Sequence, residues 1–554
     1  MFIRASRSGK HTYLRLIEAY RDADGRTRHR QIAQLGRADQ LSKEQVDALC
    51  ASLRRLTGFQ TPPLGTPEFE AAREVGGPWV LTELCRSLGL EDALRRALRS
   101  SRRQFDAEAL VRLMVFNRIC DPDSKLGVLR WLDGVVMPGL DLSGVHHQQL
   151  LRALDALDDA REALRRGMAR VLKPLLDTEV SVVFYDLTTV RIHGEATVED
   201  DVRRFGHPKE TGGIARQFVL GLIQSADGLP LDFEVFEGDI GEVSTLLPMV
   251  QRVLSQYPIQ RIVLVADRGL LSLDDVAELE ALALPEGRRL DYVLAVPARR
   301  YAEMPDLVRG LRFRDGVAEG VFQGRRLVVA HDPERAKVQT AKRRARIEAL
   351  EAFGDALAKK LDAQDEGEAG SGRRASDRGA FSRFMRRVLD EKLTAFVQAD
   401  LHAERFCYSR NDAALADAEI LDGKLVLLTS LDAKDLPAAE AITRYKSLAD
   451  IERGFRVLKS DIEIAPVYHR LPERIRAHSQ VCFLALLLHR VMRMRLKAGG
   501  AGLSVERAFE KLRHVQLHKA RIGEASVSGL TKMDATQRAL FDQLKVPQPR
   551  EAGL

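Results

Sequence analysis

The spacing of apolar residues changes period along the chain, and each change marks a different kind of element. Near the N-terminus, HTYLRLIEAY and RTRHRQIAQLG alternate apolar with polar positions on either side of the turn ADG, which predicts a β-hairpin. A helix is expected over 42–57, and the breaker-rich stretch TGFQTPPLGTP reads as a linker. From 78 to 175 the apolar positions recur every three or four residues, in LTELCRSLGLEDALRRAL, AEALVRLMVFNRIC and LLRALDALDDAREALRRGMARVLKPLL. That period predicts helices whose apolar stripes serve packing.

At residue 180 the pattern becomes continuous and β-branched. VSVVFYDLTTV predicts a buried strand ending in Asp186, and QFVLGLIQS with LPLDFEVFEGD predicts a hairpin over 217–239 around a second ADG. A helix over 244–255 leads to RIVLVADRGLLS, a second buried strand ending in Asp267. A helix over 274–282 and the strand DYVLAVP complete an order of strand, hairpin, helix, strand, helix, strand. In such α/β sheets, ligand sites gather beyond the carboxyl ends of the strands. Between 301 and 436 the regularity weakens: FRDGVAEGVFQGRRLVVAHD reads as a hairpin, 339–361 as a charged helix, and 362–380 as a mobile Gly/Ser-rich linker. GKLVLLTS restores the strand pattern.

YKSLADIERGFRVLKSD, at 445–461, carries Tyr445, Glu452 and Lys459 seven residues apart. On a continuous helix a step of seven is almost two turns, so the three lie on one face about 10 Å apart. Leu448, Ile451, Phe455 and Leu458 form a separate apolar stripe that would anchor the helix. Asp450 and Asp461 point elsewhere on such a helix and read as surface residues, as do His146, His147 and His469.

Composition narrows the class. The chain has 554 residues, 45% hydrophobic and 30% charged, which is ordinary for a globular protein of roughly three or four domains. Its five cysteines are widely separated and match neither a disulfide framework nor a zinc site, so they read as reduced core residues. MFIRASRSGK lacks an apolar segment, and the longest aliphatic run, 481–488, is eight residues where a bilayer needs roughly 20. Neither secretion nor membrane insertion is expected. The net charge of +7 is unevenly placed. Residues 1–37 hold nine Lys/Arg, Arg26, Arg28 and Arg30 among them, against three acids, and 470–497 hold seven against Glu473. Two basic stretches suit two contacts with a polyanion; the bland alternative is solubilising surface charge.

Asp186, Asp267 and Glu452 thus come from distant parts of one α/β domain. Three carboxylates are the hard oxygen ligands that a two-magnesium site needs, although a lone strand-end Asp is more often a turn former. As an ensemble, FYDLTTV, FVLGLIQSADGLPLDFEVFEGD, VLVADRGLLS and YKSLADIERGFRVLKSDIEIAPVYHRLPERIRAHSQVCFLALLL resemble the DDE transposases of bacterial insertion sequences. The branch is the one whose third motif is Y-x2-R-x3-E-x6-K. Leu448 stands where that motif has arginine, so the arginine's role is either missing or taken by Lys446, Arg453 or Arg456.

The resemblance implies a multidomain α/β fold with a ribonuclease-H-like catalytic core at 177–300 and 423–497. An insertion at 301–422 splits the core. A basic β-hairpin plus helix at 1–60, a helical domain at 68–176 and a helical C-terminal tail at 498–554 flank it. It implies that Asp186, Asp267 and Glu452 hold two Mg²⁺ ions, with Mn²⁺ able to substitute, and that Tyr445, Lys459, Arg453 and Arg456 bind DNA at the cut. Arg26, Arg28 and Arg30 would bind element ends. The implied partners are double-stranded DNA, as element end and target, and a second copy in a synaptic homodimer, in the bacterial cytoplasm at the nucleoid. A hydrolytic nuclease of the same fold and a catalytically silent DNA-binding descendant are the alternatives.

Overall fold

The computed structural model describes residues 1–554 apart from 58–65, 100–103, 177–179, 195–200, 207–212, 241–242, 258, 260, 267–272, 282–287, 297–299, 301–304, 368–373, 403, 448–453, 501 and 552–554. The chain forms two compact units, Met1–Ala72 with Leu517–Gly529, and Arg73–Gln516 with Leu530–Leu554.

In the first unit, β1 (Phe2–Ser8), β2 (His11–Arg21) and β3 (Thr27–Arg37) form an antiparallel sheet, followed by α1 (Lys43–Thr57). The expected hairpin is β2–β3, turning at Gly25, whose φ of 76° is one that a residue with a Cβ rarely adopts. β1 adds a third strand, paired from Phe2↔Ile17 to Ser8↔His11. A second small sheet joins β4 (Glu68–Glu74) to the hairpin Gln516–Ile522 and Ala525–Leu530. Lys519 reaches Glu70 at 3.3 Å and Arg521 reaches Glu68 at 2.7 Å. The expectation of a purely helical C-terminal tail is therefore corrected. Helices Val505–Leu512 and Ala535–Gln543 flank this hairpin in sequence, while its strands find their sheet partner more than 440 residues earlier.

The second unit opens with a helical bundle, α2 (Gly76–Leu88), α3 (Leu90–Leu98), α4 (Ala107–Cys120), α5 (Lys125–Asp133), α6 (His147–Asp159) and α7 (Arg161–Leu172). Asp106 and Ser124 cap α4 and α5 through their side chains. The α/β part follows with β5 (Val180–Arg191), β6 (Arg204–Gly206), β7 (Ala215–Ser225), β8 (Pro230–Glu237), α8 (Val243–Gln256), β9 (Arg261–Ala266), α9 (Leu273–Glu280), β10 (Arg289–Ala295), α10 (Pro305–Gly310), β11 (Val317–Phe322) and β12 (Arg325–His331). Then α11 (Pro333–Asp365), α12 (Asp377–Asp390), the hairpin β13 (Val397–His402) and β14 (Arg405–Arg410), and α13 (Asp412–Leu421) gather round a core of their own that includes Ile347, Leu350, Phe384 and Val397. β15 (Lys424–Thr429), α14 (Ala438–Lys446) and α15 (Pro472–Ala498) complete the framework around the sheet.

One nine-stranded sheet runs β11-β12-β15-β10-β9-β5-β7-β6, with β8 also on β7. β5, β9 and β10 are parallel; the β7–β8 hairpin lies antiparallel on one side of β5, and β15 antiparallel beyond β10. The hairpin β11–β12, which sequence places in the insertion, extends this sheet through β15 from Arg326↔Thr429 to His331↔Lys424. The excursion from the sheet therefore begins at α11. It leaves and returns at one point, where Asp332 N donates to Gly423 O at 2.9 Å. Gly423, at φ 67°, would push a Cβ to 2.3 Å from the Asp332 carbonyl, so only glycine fits.

Both faces of the central strands are covered, which explains their continuous apolar runs. On one face Phe184, Val265, Val293, Leu427 and Ile442 of α14 form a core with Tyr445 packed at its edge. On the other, the Tyr185 hydroxyl bonds Thr245 Oγ1 at 2.6 Å in α8. α15 packs on α4, α6 and β8, so the helix ties bundle to sheet. Phe483 stacks on Phe233 at 4.7 Å, and Arg474 bonds Asp155 at 2.6 and 2.9 Å. Arg476 pairs with Asp158 at 3.2 Å. These pairs give part of the second basic stretch a structural role that no local pattern could reveal.

Candidate active site

Asp186 sits where the parallel pairing of β5 stops. The β5–β9 register runs from Val180↔Arg261 to Tyr185↔Ala266, whereas pairing with β7 continues to Arg191↔Gln217. β5 thus extends five residues past Asp186, and the end predicted there is the end of its β9 partner. Period-two alternation puts Asp186 on the face of Phe184 and Thr188, opposite Leu222 of β7. Its carboxylate is half-buried, and Oδ1 accepts from Leu187 N at 2.7 Å. Asp267, Glu452 and Arg453 lie outside the described residues.

The single helix predicted over 445–461 is corrected. α14 ends at Lys446 with Ser447 as its cap, and the chain re-enters the described residues at Gly454. Val457–Asp461 is a π-helical turn, closed by Ile462 N to Val457 O at 2.9 Å. An i to i+5 turn breaks the 3.6-residue phase on which a straight Tyr445-to-Lys459 line depends. Tyr445 packs beside the Phe184 core and Lys459 is half-buried in the π turn. Gly454 is buried where an added Cβ would come within 2.6 Å of Gln224 Nε2 and 3.1 Å of Arg490. Gln224 faces Phe184 across the β5–β7 pair, so this stretch lies over the face that bears Asp186. The predicted stripe residues Phe455 and Leu458 are buried; Leu448 and Ile451 lie outside the described residues.

Asp461, expected at the surface, is half-buried beside His489 and Glu506, and the three ligand atoms lie within 4.8 Å of one another. His489 Nε2 donates to Glu506 Oε1 at 3.3 Å, and this bond, more than any other cause, lowers the Glu506 carboxyl to about 2. Arg456, Arg493 and Lys497 line the same cavity of about 760 Å³. Nothing local in the sequence signals this cluster, whose members are 28 and 17 residues apart.

In the first unit, Arg28 and Arg30 stand opposite Tyr20 and Glu18 on β2. Arg28 bonds Asp22 at 2.9 Å and Arg30 bonds Glu18 at 2.6 Å, both with exposed guanidinium groups. Such pairs contribute only about 0–1 kcal/mol and can exchange for a phosphate. Arg26, in the turn, is exposed. Of the cysteines, Cys85, Cys120 and Cys482 are buried as expected, while Cys50 and Cys407 are exposed. Among the described residues no helix is long and apolar enough to cross a membrane.

Comparison with known families completes the picture. A model of the IS1634 family transposase N-terminal domain matches residues 3–62, the stretch containing the three-stranded basic sheet and α1. A model of the transposase DDE domain matches residues 178–488, from the start of β5 into α15 and so across the whole nine-stranded sheet. No individual curated protein matches the sequence significantly. With more than half of its length matched, from the strand that carries Asp186 onward, the chain belongs to the DDE transposase family of insertion sequences.

Proposed function

We propose that this transposase binds the terminal inverted repeats of its element, cleaves the DNA at the element ends and joins the freed 3′-hydroxyl ends to target DNA. The observation that carries the reading is the parallel register. Tyr185 pairs with Ala266, and the next residue of each strand in sequence is an aspartate. β5 and β9 are neighbours in the sheet, so β9 ends at Ala266 beside the strand that carries Asp186. Gly454 rests over the Asp186 face, and Glu452 precedes it by two residues in sequence. The antiparallel hairpin beside β5, followed by parallel β9 and β10, supports a ribonuclease-H-like core.

Three carboxylates are a hard oxygen donor set that fits two Mg²⁺ ions, with Mn²⁺ able to substitute. The half-buried Asp186 carboxylate leaves an approach for phosphate and water. Bound there, the ions supply charge stabilisation and an activated oxygen for in-line displacement at phosphorus. The remaining work belongs to the chain. Tyr445 donates a hydrogen bond and Lys459 a point charge to phosphates beside the cut, with Arg453 and Arg456 as further contacts. Arg26, Arg28 and Arg30 hold the element end, and two copies in a synaptic homodimer hold two ends.

Lys459 tests this assignment. Lys459→Ala should slow single-turnover cleavage and strand transfer together, and Lys459→Arg should recover part of the loss because charge is retained. The thermal midpoint should barely move. Normal cleavage by the alanine variant would remove Lys459 from the site. For the N-terminal sheet, neutralising Arg26, Arg28 and Arg30 should weaken end binding and lower the slope of log K against log salt by about 0.9 for each phosphate left without its arginine. A titration showing an unchanged slope would leave the sheet with a structural role only.

A further inference from the structure

A second site is built where the bundle meets the end of β5. A pocket of about 360 Å³ is lined by Arg118, Lys125, His469, Arg470, Arg474 and His478; among the described residues no acidic side chain lines it, and the neighbouring carboxylate, Asp155, is taken by Arg474. Lys125, at the start of α5, is only 6% exposed and makes no hydrogen bond or ion pair among the described residues. Arg118 is bound by backbone carbonyls, at 2.6 Å from Asp123 and 3.1 Å from Glu463, and by no carboxylate. His478 Nε2 donates to Ile464 O at 3.1 Å, so its buried Nδ1 is an acceptor and the donors toward an anion are Lys125 and Arg118. His469, expected at the surface, is half-buried here.

A buried ammonium without a counter-charge is costly. Burial, reinforced by Arg118, pulls Lys125 down to about 7, and burial with Lys125 and Arg474 nearby pulls His469 down to about 3. An acceptor-only anion would relieve that cost and satisfy the donors. The rim shows which anion fits. Tyr468, 68% exposed, stacks on His193 at 5.0 Å, an open aromatic platform of the kind that sits beside nucleotides. Val467 pairs with Ile192, and His193 N donates to Val467 O at 2.9 Å, so the rim is fastened to the strand that carries Asp186. Six residues of strand separate Ile192 from Asp186, about 20 Å at 3.3 Å per residue.

We propose that this pocket binds a backbone phosphate of the DNA away from the phosphodiester cut at Asp186, with Lys125 and Arg118 as donors. The inference rests on the DNA-cleaving reading above. A free phosphorylated small molecule shares the chemistry, so the test uses both probes on the full-length protein. Lys125→Met should bind a labelled element-end duplex about tenfold more weakly, with the salt slope reduced by about 0.9. Its thermal midpoint in phosphate-free buffer should equal or exceed that of the unsubstituted protein, because an unpaired buried charge has gone. Inorganic phosphate should raise the midpoint of the unsubstituted protein alone. Single methylphosphonate replacements along the duplex, with the unsubstituted protein, should locate one sensitive position apart from those at the cut, and this position should lose its sensitivity in Lys125→Met. Unchanged affinity in Lys125→Met, a fall in stability with affinity, or no sensitive position would overturn the proposal. Phosphate protection abolished with DNA affinity intact would assign the pocket to a small phosphorylated ligand instead. Failure of the unsubstituted protein to bind element ends would defeat the underlying reading, a result distinct because it involves no change at Lys125.

Discussion

Asp186→Asn, Asp267→Asn and Glu452→Gln should each abolish Mg²⁺-dependent cleavage of element-end DNA while leaving end binding within a few fold. Each amide keeps the shape of the side chain but removes the anionic oxygen on which divalent-ion ligation depends. Losing several kcal/mol of charge stabilisation at phosphorus corresponds to a rate loss of about a thousandfold or more. Binding should survive because each amide leaves every assigned DNA contact in place, and the arginines of β3 and its turn and the pocket around Lys125 are far from the carboxylates in sequence. Chelation by EDTA should reproduce the cleavage defect, and Mn²⁺ should restore activity to the chelated unsubstituted protein. Gel-shift binding beside a cleavage assay reads both quantities, and a triple variant that still cuts would sink the assignment.

The largest effect on stability should come from Asp201→Ala. Asp201 and Arg203 form an ion pair sealed from solvent, with Arg203 Nε 2.8 Å from each carboxylate oxygen. Arg203 Nη2 also donates to the carbonyl of Arg470 at 2.8 Å, tying the pair to the loop beside the Lys125 pocket. Removing the carboxylate takes the Asp201 counter-charge from a desolvated guanidinium, and breaking a buried pair on one side costs about 3–5 kcal/mol. In a unit of this size that should lower the thermal midpoint by roughly 3–5 °C. Replacing both members, Asp201→Ala with Arg203→Met, should recover much of the loss, because the uncompensated charge goes with its partner. Thermal and urea unfolding of the three variants would measure the coupling. A single variant within about 1 kcal/mol of the unsubstituted protein would show that the pair is not sealed in solution.

Local pattern determined much of this protein, because period is a property of consecutive residues. The continuous apolar run around Tyr185 and the run that forms β9 announced strands covered on both faces. The alternation in β2 and β3 announced a half-exposed basic sheet, and the three-to-four spacing in α2 to α7 announced the bundle. The resemblance motifs then picked out Asp186 from many acids. Tertiary structure alone decided which elements became neighbours. β11–β12 reads locally as a free hairpin, yet its edge is satisfied by β15, about 100 residues later. The strands after Gln516 read as part of a helical tail until β4 supplies their partner. Arg474 and Arg476 look like DNA contacts until Asp155 and Asp158 meet them from α6. Lys125 looks like a solvated helix start until the loop that carries His469 and the start of α15 close over it. A charge's role depends on the dielectric and the counter-charges around it, and those come from residues hundreds of positions away. The π turn at Val457–Asp461 has the same origin: packing Gly454 onto Gln224 and Leu458 into the core sets a backbone phase that spacing within 445–461 could not reveal.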